Sequence, residues 1–503
     1  MTAAIRPPLP PMPPSYAATG SHDPPSLPAY TPSLRAPRPP SRLSMRSRRT
    51  TGPRKSRSKE FNFDLKRKGK TFAGMTIMAD SPLAKTMPVI VEGQPVKGFA
   101  RLALDKPKSI QTISVHITGQ VITGLNQGEQ LCFINISETL WSQSMGDPRL
   151  AASRYSPECT GRKASFGQHL TVSPKTQGDL SPSSSRSTSK TSAKFAGKIP
   201  AGEYFWDFSI DLPKEVLLPA TPGGKPQLFH PPQSFNERHT RASVIYEVLV
   251  KFGRTSIFLS DHRVATPFGY IPVTYPPPFP PLRASAYQDH TPLLPPAIDP
   301  DGWHAVEPVK VSGTLFNNRT VNIRCSFFLA NPLSYTRSTI IPLCLRISCD
   351  DDQALALLSS PNAVVCRLRR RVKFHANPEK MVDPLAWRDA IDHSQLAVWR
   401  HDRHNAAVDA GRGSRVLQGE LHLRQDMKPS SAMAQFRVEY SVVLFPFDAA
   451  GFEGLSSDQL AEQPVEIVTA YAAGPRPRMN APPGYDTDTA LQPGAPGLNV
   501  LLS

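Results

Sequence analysis

Short stretches in which hydrophobic and polar residues alternate recur along most of this 503-residue chain. In the first of them, Phe61, Phe63 and Leu65 are separated by polar residues. A period of two indicates a β-strand with one face buried and one face in water. The same pattern predicts further strands in the first half at 96–104, 108–122, 130–141, 201–213 and 243–254.

A second series of alternating stretches begins near Trp303. Its predicted strands lie at 309–316, 321–330, 340–348, 363–374, 416–424, 434–445 and 464–471. Residues 350–358 have the pattern of one or two helical turns, and no stretch predicts a long helix. Because one face of each strand is polar, we expect antiparallel rather than parallel sheets. The pattern therefore predicts an all-β chain with two tandem antiparallel β-sandwiches.

Stretches without periodicity separate and interrupt these groups of strands. Pro cannot donate a hydrogen bond to a sheet, and Ser-rich charged segments bury too little apolar surface to fold. We therefore predict disordered tails, a disordered insert in the first sandwich, a Pro-rich linker partly in the polyproline II form, and a loop insertion in the second sandwich. The boundaries are 1–58 for the basic Pro-rich tail, 59–274 for the first sandwich with its insert at 142–195, 275–301 for the linker, 302–472 for the second sandwich with its loop at 375–414, and 473–503 for the last tail.

Composition and charge support folded domains joined to disordered tails. Pro contributes 55 residues, and only 39% of the chain is hydrophobic. Of the net charge of +17, residues 1–59 supply +10, from nine Arg and two Lys against one Asp. Such a tail attracts anionic partners such as membrane lipid, and a solvated arm is the alternative. Nucleic acid is not expected, because residues 31–59 contain no aromatic side chain to stack on bases.

The chain shows none of the residue patterns of a secreted protein or of the common enzyme classes. Cys325, Cys344 and Cys366 lie in apolar strand-like stretches, where a free thiol packs as a small hydrophobe. There is no apolar signal region and no long apolar run, so we expect an intracellular chain that does not span a membrane. A Gly-rich phosphate loop, a GxSxG elbow and an HExxH pair are absent from the sequence, and His401 and His404 lack a third ligand. We expect no enzyme activity, no metal and no cofactor.

The pattern Pro-Pro-x-Tyr occurs near both ends of the chain, in segments predicted to be unfolded. Such a motif is a ligand for WW domains, because its prolines are already extended and fill an aromatic groove while the Tyr fills a neighbouring pocket. The predicted WW-binding residues are Pro13, Pro14 and Tyr16, then Pro482, Pro483 and Tyr485, with a looser variant at Leu27, Pro28 and Tyr30.

Two weaker patterns suggest phosphate chemistry. Ser165 follows two basic residues, and Ser173 and Ser181 each precede Pro, so all three fit kinase sites in the predicted insert. Alternation places three arginines on one face of a predicted strand, where they form a basic stripe for phosphorylated cargo or lipid head groups. The alternative is an ordinary polar outer face. These arginines are Arg367, Arg369 and Arg371.

The ordered series of strands resembles the arrestin family. The residues that carry it best are 200–204, PAGEY, followed by an aromatic strand that ends at 212–213, LP. The resemblance covers about residues 60–270 for the N-terminal arrestin domain and 305–471 for the C-terminal one. The long tails, the insert and the linker resemble the α-arrestin branch, the arrestin-related trafficking adaptors, particularly its fungal members.

This resemblance implies an adaptor. The sandwiches would bind the cytoplasmic tails of a membrane transporter or receptor, and the Pro-Pro-x-Tyr motifs would recruit a HECT ubiquitin ligase that carries WW domains. The cargo would then be ubiquitinated and endocytosed. The implied location is the cytoplasm, peripheral at the plasma membrane or endosomes. Two alternatives remain: an arrestin-like signalling scaffold, as in fungal ambient-pH sensing, and a retromer-like sorting subunit.

Overall fold

The structure, a computed structural model, describes residues 58–480 except 68, 81–85, 127, 153–194, 196, 222, 255–259, 382 and 402–412. The described residues belong to one compact unit, Ser56–Ser503. Within them the chain forms two sandwiches of β-sheets, as the alternating pattern predicts.

The first sandwich consists of two packed sheets and a separate hairpin. One sheet has the order β1-β2-β4-β7, the other has the order β3-β12-β11-β5-β6 with β10 paired to β11, and β8 and β9 form the hairpin. The strands are β1 (Lys59–Arg67), β2 (Lys70–Ala79), β3 (Val89–Val91), β4 (Val96–Leu104), β5 (Ile110–Ile122), β6 (Gln130–Ser142), β7 (Gly202–Ile210), β8 (Val216–Pro219), β9 (Pro226–Phe229), β10 (Phe235–Asn236), β11 (Ser243–Arg254) and β12 (His262–Ile271). A short helix, α1 (Pro148–Ala151), follows β6.

The second sandwich repeats this arrangement. One sheet has the order β20-β21-β17-β15-β14-β24 with β13 paired to β15, and the other has the order β16-β25-β23-β18-β19 with β22 paired to β23. The strands are β13 (Trp303–Ala305), β14 (Val309–Leu315), β15 (Arg319–Ala330), β16 (Ser334–Thr336), β17 (Ile340–Cys349), β18 (Cys366–His375), β19 (Trp387–Leu396), β20 (Val398–His401), β21 (Ser414–His422), β22 (Ser431–Met433), β23 (Phe436–Leu444), β24 (Phe452–Gly454) and β25 (Ala461–Val468). Helix α3 (Asp352–Leu358) connects β17 to β18 and confirms the helical turns expected there.

Alternation along the central strands builds the core. In β11, Val244, Tyr246, Val248 and Val250 are buried, and the residues between them are partly exposed. Most pairs of described strands are antiparallel, and each sandwich also has one short parallel pair, β3 with β12 and β16 with β25. Buried residues of both sandwiches belong to one continuous hydrophobic core.

The prediction of a loop at 375–414 is wrong for much of its length, because β19 and β20 lie within this range. Among the described strands, β19 pairs only with β18 and forms the edge of its sheet. All of its residues are half-buried or exposed, so neither face carries the apolar row that marks a strand in a sequence.

The Pro-rich segment at 275–301 contains a helix, α2 (Pro281–Asp289), where a linker partly in the polyproline II form was expected. Pro281 occupies the first helical position, where its missing N–H costs nothing. Arg283 and Tyr287 lie one turn apart on this helix, and both are buried. Arg283 also donates to the carbonyl of Asn331, 48 residues away, so a contact that is distant in sequence holds the helix.

Candidate interaction surface

Strand β18 carries the arginines that the sequence singled out. Its neighbours in the sheet are β19 and β23. Leu368 and Val372 are buried in the core, while Arg367, Arg369 and Arg371 are half-buried on the opposite face. The structure therefore brings the three predicted arginines together on one face.

Acidic residues already neutralise this row. Arg369 donates from Nη1 to Glu462 Oε2 at 2.7 Å, and Arg371 donates to the Asp389 carboxylate. The hydrogen bond to Asp389 raises the pKa of Arg371 above its usual value. Burial alone would raise the pKa of Glu462, but hydrogen bonds from Ser441 and from other neighbours hold it below its usual value. An incoming phosphate would have to compete with these carboxylates.

The neighbouring Arg370 faces the first sandwich and was missed by the sequence analysis. Its Nη1 donates to Glu237 Oε1 at 2.8 Å and its Nη2 donates to Glu237 Oε2 at 2.7 Å. Its Nε and Nη2 also donate to Asp392, both at 3.1 Å. Burial alone would lower the pKa of Arg370, but the hydrogen bonds and charge of Glu237, with Asp392, raise it above its usual value. Glu237 follows β10, so this ion pair joins the two sandwiches.

Other contacts join the sandwiches around this ion pair. The rings of Phe235 and Phe436 lie 5.1 Å apart. Arg337 Nη1 donates to Gln233 Oε1 at 3.3 Å, and Thr123 Oγ1 donates to the carbonyl of Ala376 at 2.7 Å. Apolar packing and hydrogen bonds therefore hold the two sandwiches together at several places.

A groove of about 930 Å³ lies beside this junction. The segment after the hairpin lines one side, and the outer faces of β18, β23 and β25 line the other. Two apolar side chains in it are exposed, Leu228 at 62% and Ile391 at 53%. Arg371, Arg437 and Glu439 supply charges next to them. The groove thus combines apolar contact area with charges of both signs.

The chain remains attached to the fold well beyond its last strand. The Ala470 N–H donates to the Thr274 carbonyl at 2.9 Å, and the Arg476 guanidinium lies 4.2 Å from the centre of the Tyr471 ring. The Asn480 N–H donates to Glu420 Oε2 at 2.9 Å. Residues 473–480, expected as part of the unfolded tail, are therefore packed on the fold in this structure.

Most of the other predicted site residues lie outside the described residues. These are the two Pro-Pro-x-Tyr motifs, with Pro13, Pro14, Tyr16, Pro482, Pro483 and Tyr485, the variant with Leu27, Pro28 and Tyr30, and the serines Ser165, Ser173 and Ser181. Within residues 58–480, with the gaps given above, no group of three potential metal-ligating side chains is found. The helices described in this range are all too short or too polar to cross a membrane.

The fold and its surfaces define an all-β protein of two joined sandwiches with an open groove beside their junction. Residues 80–263 match the family model of the arrestin (or S-antigen) N-terminal domain. The chain is therefore an arrestin-like protein, and the resemblance seen in its strands is confirmed for the first sandwich. A comparison with curated proteins gave no match.

Proposed function

We propose that this arrestin-like protein is an adaptor of the α-arrestin type, which binds cytoplasmic parts of membrane proteins and recruits a WW-domain HECT ubiquitin ligase. The observation that carries the proposal is the pair of Pro-Pro-x-Tyr motifs, one on each side of a fold that includes an arrestin domain. Ubiquitination and endocytosis of the bound membrane protein follow from this arrangement.

The second motif follows the described part of the fold closely in sequence. Pro482 comes two residues after Asn480, whose N–H is bound by Glu420. A WW domain on this motif would be held close to the second sandwich. Two modest sites on one chain gain avidity on a ligase with several WW domains, because the second binding event is intramolecular.

The groove supports the cargo half of the proposal. Its volume suits an extended peptide, with apolar contacts at Leu228 and Ile391 and charges at Arg371 and Glu439 for orientation. We assign it to a cytoplasmic tail of a transporter or receptor. Arg371, one of the three predicted arginines, lines the groove and would contact the bound tail.

The basic first tail supports attachment to a membrane surface. Residues 1–59 have a net charge of +10, which attracts anionic lipid within about one Debye length. Co-sedimentation with phosphatidylserine vesicles tests this point. Deletion of residues 1–58 should abolish binding, and binding of the full chain should fall as salt is raised.

Calorimetric titration with a single WW domain tests the recruitment half. We expect two sites on the intact chain, one after Tyr16→Ala or Tyr485→Ala, and none after both changes. Tyr275→Ala is the matched control, because Tyr275 is 64% exposed and adjoins prolines without forming the motif. Binding that survives in the double variant and disappears with Tyr30→Ala would move the first site to the looser motif. An intact chain that binds no WW domain would refute the proposal.

A further inference from the structure

A second cavity, of about 160 Å³, lies where the first sandwich meets the second. Its walls are mostly apolar and include Phe235, Tyr246 and Phe268 of the first sandwich. Lys428, from the segment between β21 and β22, lines it from the second sandwich. A ligand in this cavity would contact both sandwiches.

One wall of the cavity holds a hydroxyl without a partner. Tyr270 is 1% exposed, and its hydroxyl has no hydrogen-bond partner among the described residues. The adjacent Tyr246 differs, since its hydroxyl donates to the Pro232 carbonyl at 2.6 Å. A buried polar group without a partner costs free energy. A ligand that accepts a hydrogen bond from the Tyr270 hydroxyl would remove this cost.

The second polar group at the cavity is the ammonium of Lys428. Within the described residues it forms no ion pair, and the nearby Glu237 is already held by Arg370 through two hydrogen bonds. Burial lowers the pKa of Lys428 to about 8, only partly offset by the charge of Glu237. At neutral pH the cavity therefore has a charged donor, and its acidic neighbours Glu237 and Asp426 are bound by Arg370 and Arg424 instead.

Shape and chemistry together specify a ligand class. A cavity of about 150 Å³ with apolar walls accepts a benzene ring. Lys428 can only donate, and the Tyr270 hydroxyl is free to donate, so the polar end of the ligand must be an acceptor and preferably an anion. We propose that this cavity binds a small aromatic carboxylate, with its ring among Phe235, Tyr246 and Phe268 and its carboxylate between Lys428 and Tyr270.

Ligand-observed NMR on the full chain, with benzoate as the probe, tests the proposal. We expect a Kd of about 1 mM or lower, the range open to a ligand of this size. Lys428→Met and Tyr270→Phe keep the bulk of each side chain and should each weaken binding about tenfold or more. Lys310→Met, the same change at an exposed position of the second sandwich, should leave the affinity unchanged.

Benzyl alcohol has the same ring as benzoate but no carboxylate, so it distinguishes recognition of the anion from burial of the ring alone. We expect it to bind at least about tenfold more weakly than benzoate, and to lose little affinity in Lys428→Met. Melting curves show that each variant is folded before it is titrated, and Tyr270→Phe alone decides the matter if Lys428→Met does not fold. Absence of benzoate binding, or equal binding by the intact chain and Tyr270→Phe, would overturn the proposal.

Discussion

Arg370 and Glu237 join the two sandwiches through two parallel hydrogen bonds, of 2.8 and 2.7 Å, although 133 residues separate them in the chain. Each of the two side chains is 21% exposed, so water screens the pair only weakly. Two-point contact between a guanidinium and a carboxylate also fixes the angle between the partners. This ion pair therefore orients one sandwich against the other.

Glu237→Gln should destabilise the folded chain. The amide carries no charge and offers Arg370 one acceptor instead of two, which leaves part of a largely buried cation unpaired. We expect a loss of about 1–2 kcal/mol in the free energy of unfolding, measured with urea. Asp105→Asn is the control, because the Lys70–Asp105 pair is 78% exposed on both sides and its loss should not be measurable. An unchanged urea midpoint in Glu237→Gln would show that the pair does not hold the sandwiches.

Lys428→Met should change how stability depends on pH. The pKa of Lys428 is about 8 in the folded chain, below its ordinary value of 10.5, so folding disfavours the charged form. The charged form of Lys428 therefore lowers the free energy of unfolding at neutral pH. This loss becomes smaller as the pH rises from about 8 towards 10.5. We expect Lys428→Met to be more stable than the intact chain at pH 7, with a gap that narrows by pH 10.

Urea unfolding at pH 7, 8, 9 and 10 measures this gap. Comparison between the two chains cancels the titration of tyrosines, which both contain. A gap that stays constant over this range would contradict the pKa shift of Lys428.

Glu420→Ala should release the end of the packed segment. The Glu420 carboxylate is 5% exposed and accepts the Asn480 N–H, which is the last described contact before Pro482. Loss of this bond should speed hydrogen exchange at the Asn480 amide by about tenfold, read by mass spectrometry. Glu453→Ala, at an exposed position on β24, should leave that exchange rate unchanged. Equal exchange in the intact chain and in Glu420→Ala would exclude Glu420 as the anchor.

Gly98→Ala should strongly destabilise the first sandwich. A Cβ on Gly98 would lie 2.1 Å from the Thr76 carbonyl oxygen and 2.8 Å from the Phe208 ring. Because one of these contacts is with backbone of the paired strand, we expect a loss of about 3 kcal/mol. Gly454→Ala meets its nearest neighbour at 3.4 Å and should be nearly neutral, as judged from melting temperatures. A tolerated Gly98→Ala would contradict the close pairing of β2 and β4.

Alternation predicted many of the strands whose two faces differ, although it did not lead to a prediction of β12, in which Val264, Thr266 and Phe268 are buried between exposed residues. Elements that depend on contacts distant in sequence were also missed. Alternation located β11 because Tyr246 and Val248 face the core while their neighbours do not. Strand β19 was missed because both of its faces are exposed. Helix α2 depends on Arg283, which donates to the Asn331 carbonyl 48 residues away. Pro281 at a helix start was the only local signal for it.

The candidate sites divide in the same way. Short motifs such as Pro-Pro-x-Tyr can be read directly, since their chemistry resides in consecutive residues. The Arg370–Glu237 pair and the cavity with Lys428 and Tyr270 could not be found in this way, because the fold brings together groups from both sandwiches. The row of Arg367, Arg369 and Arg371 illustrates both cases. Alternation predicted that the three arginines share one face, but nothing in the sequence predicted that Glu462 pairs with Arg369.

Titration of the full chain with a tandem WW fragment of a HECT ligase tests the central proposal most directly. We expect the intact chain to bind at least about a hundredfold more tightly than the chain with Tyr16→Ala or Tyr485→Ala alone, because only the intact chain engages two WW domains at once. The chain with both changes should not bind. The Tyr275→Ala chain should match the intact one. Equal affinities of the intact chain and the double variant would contradict the account of this arrestin-like protein as a ligase adaptor.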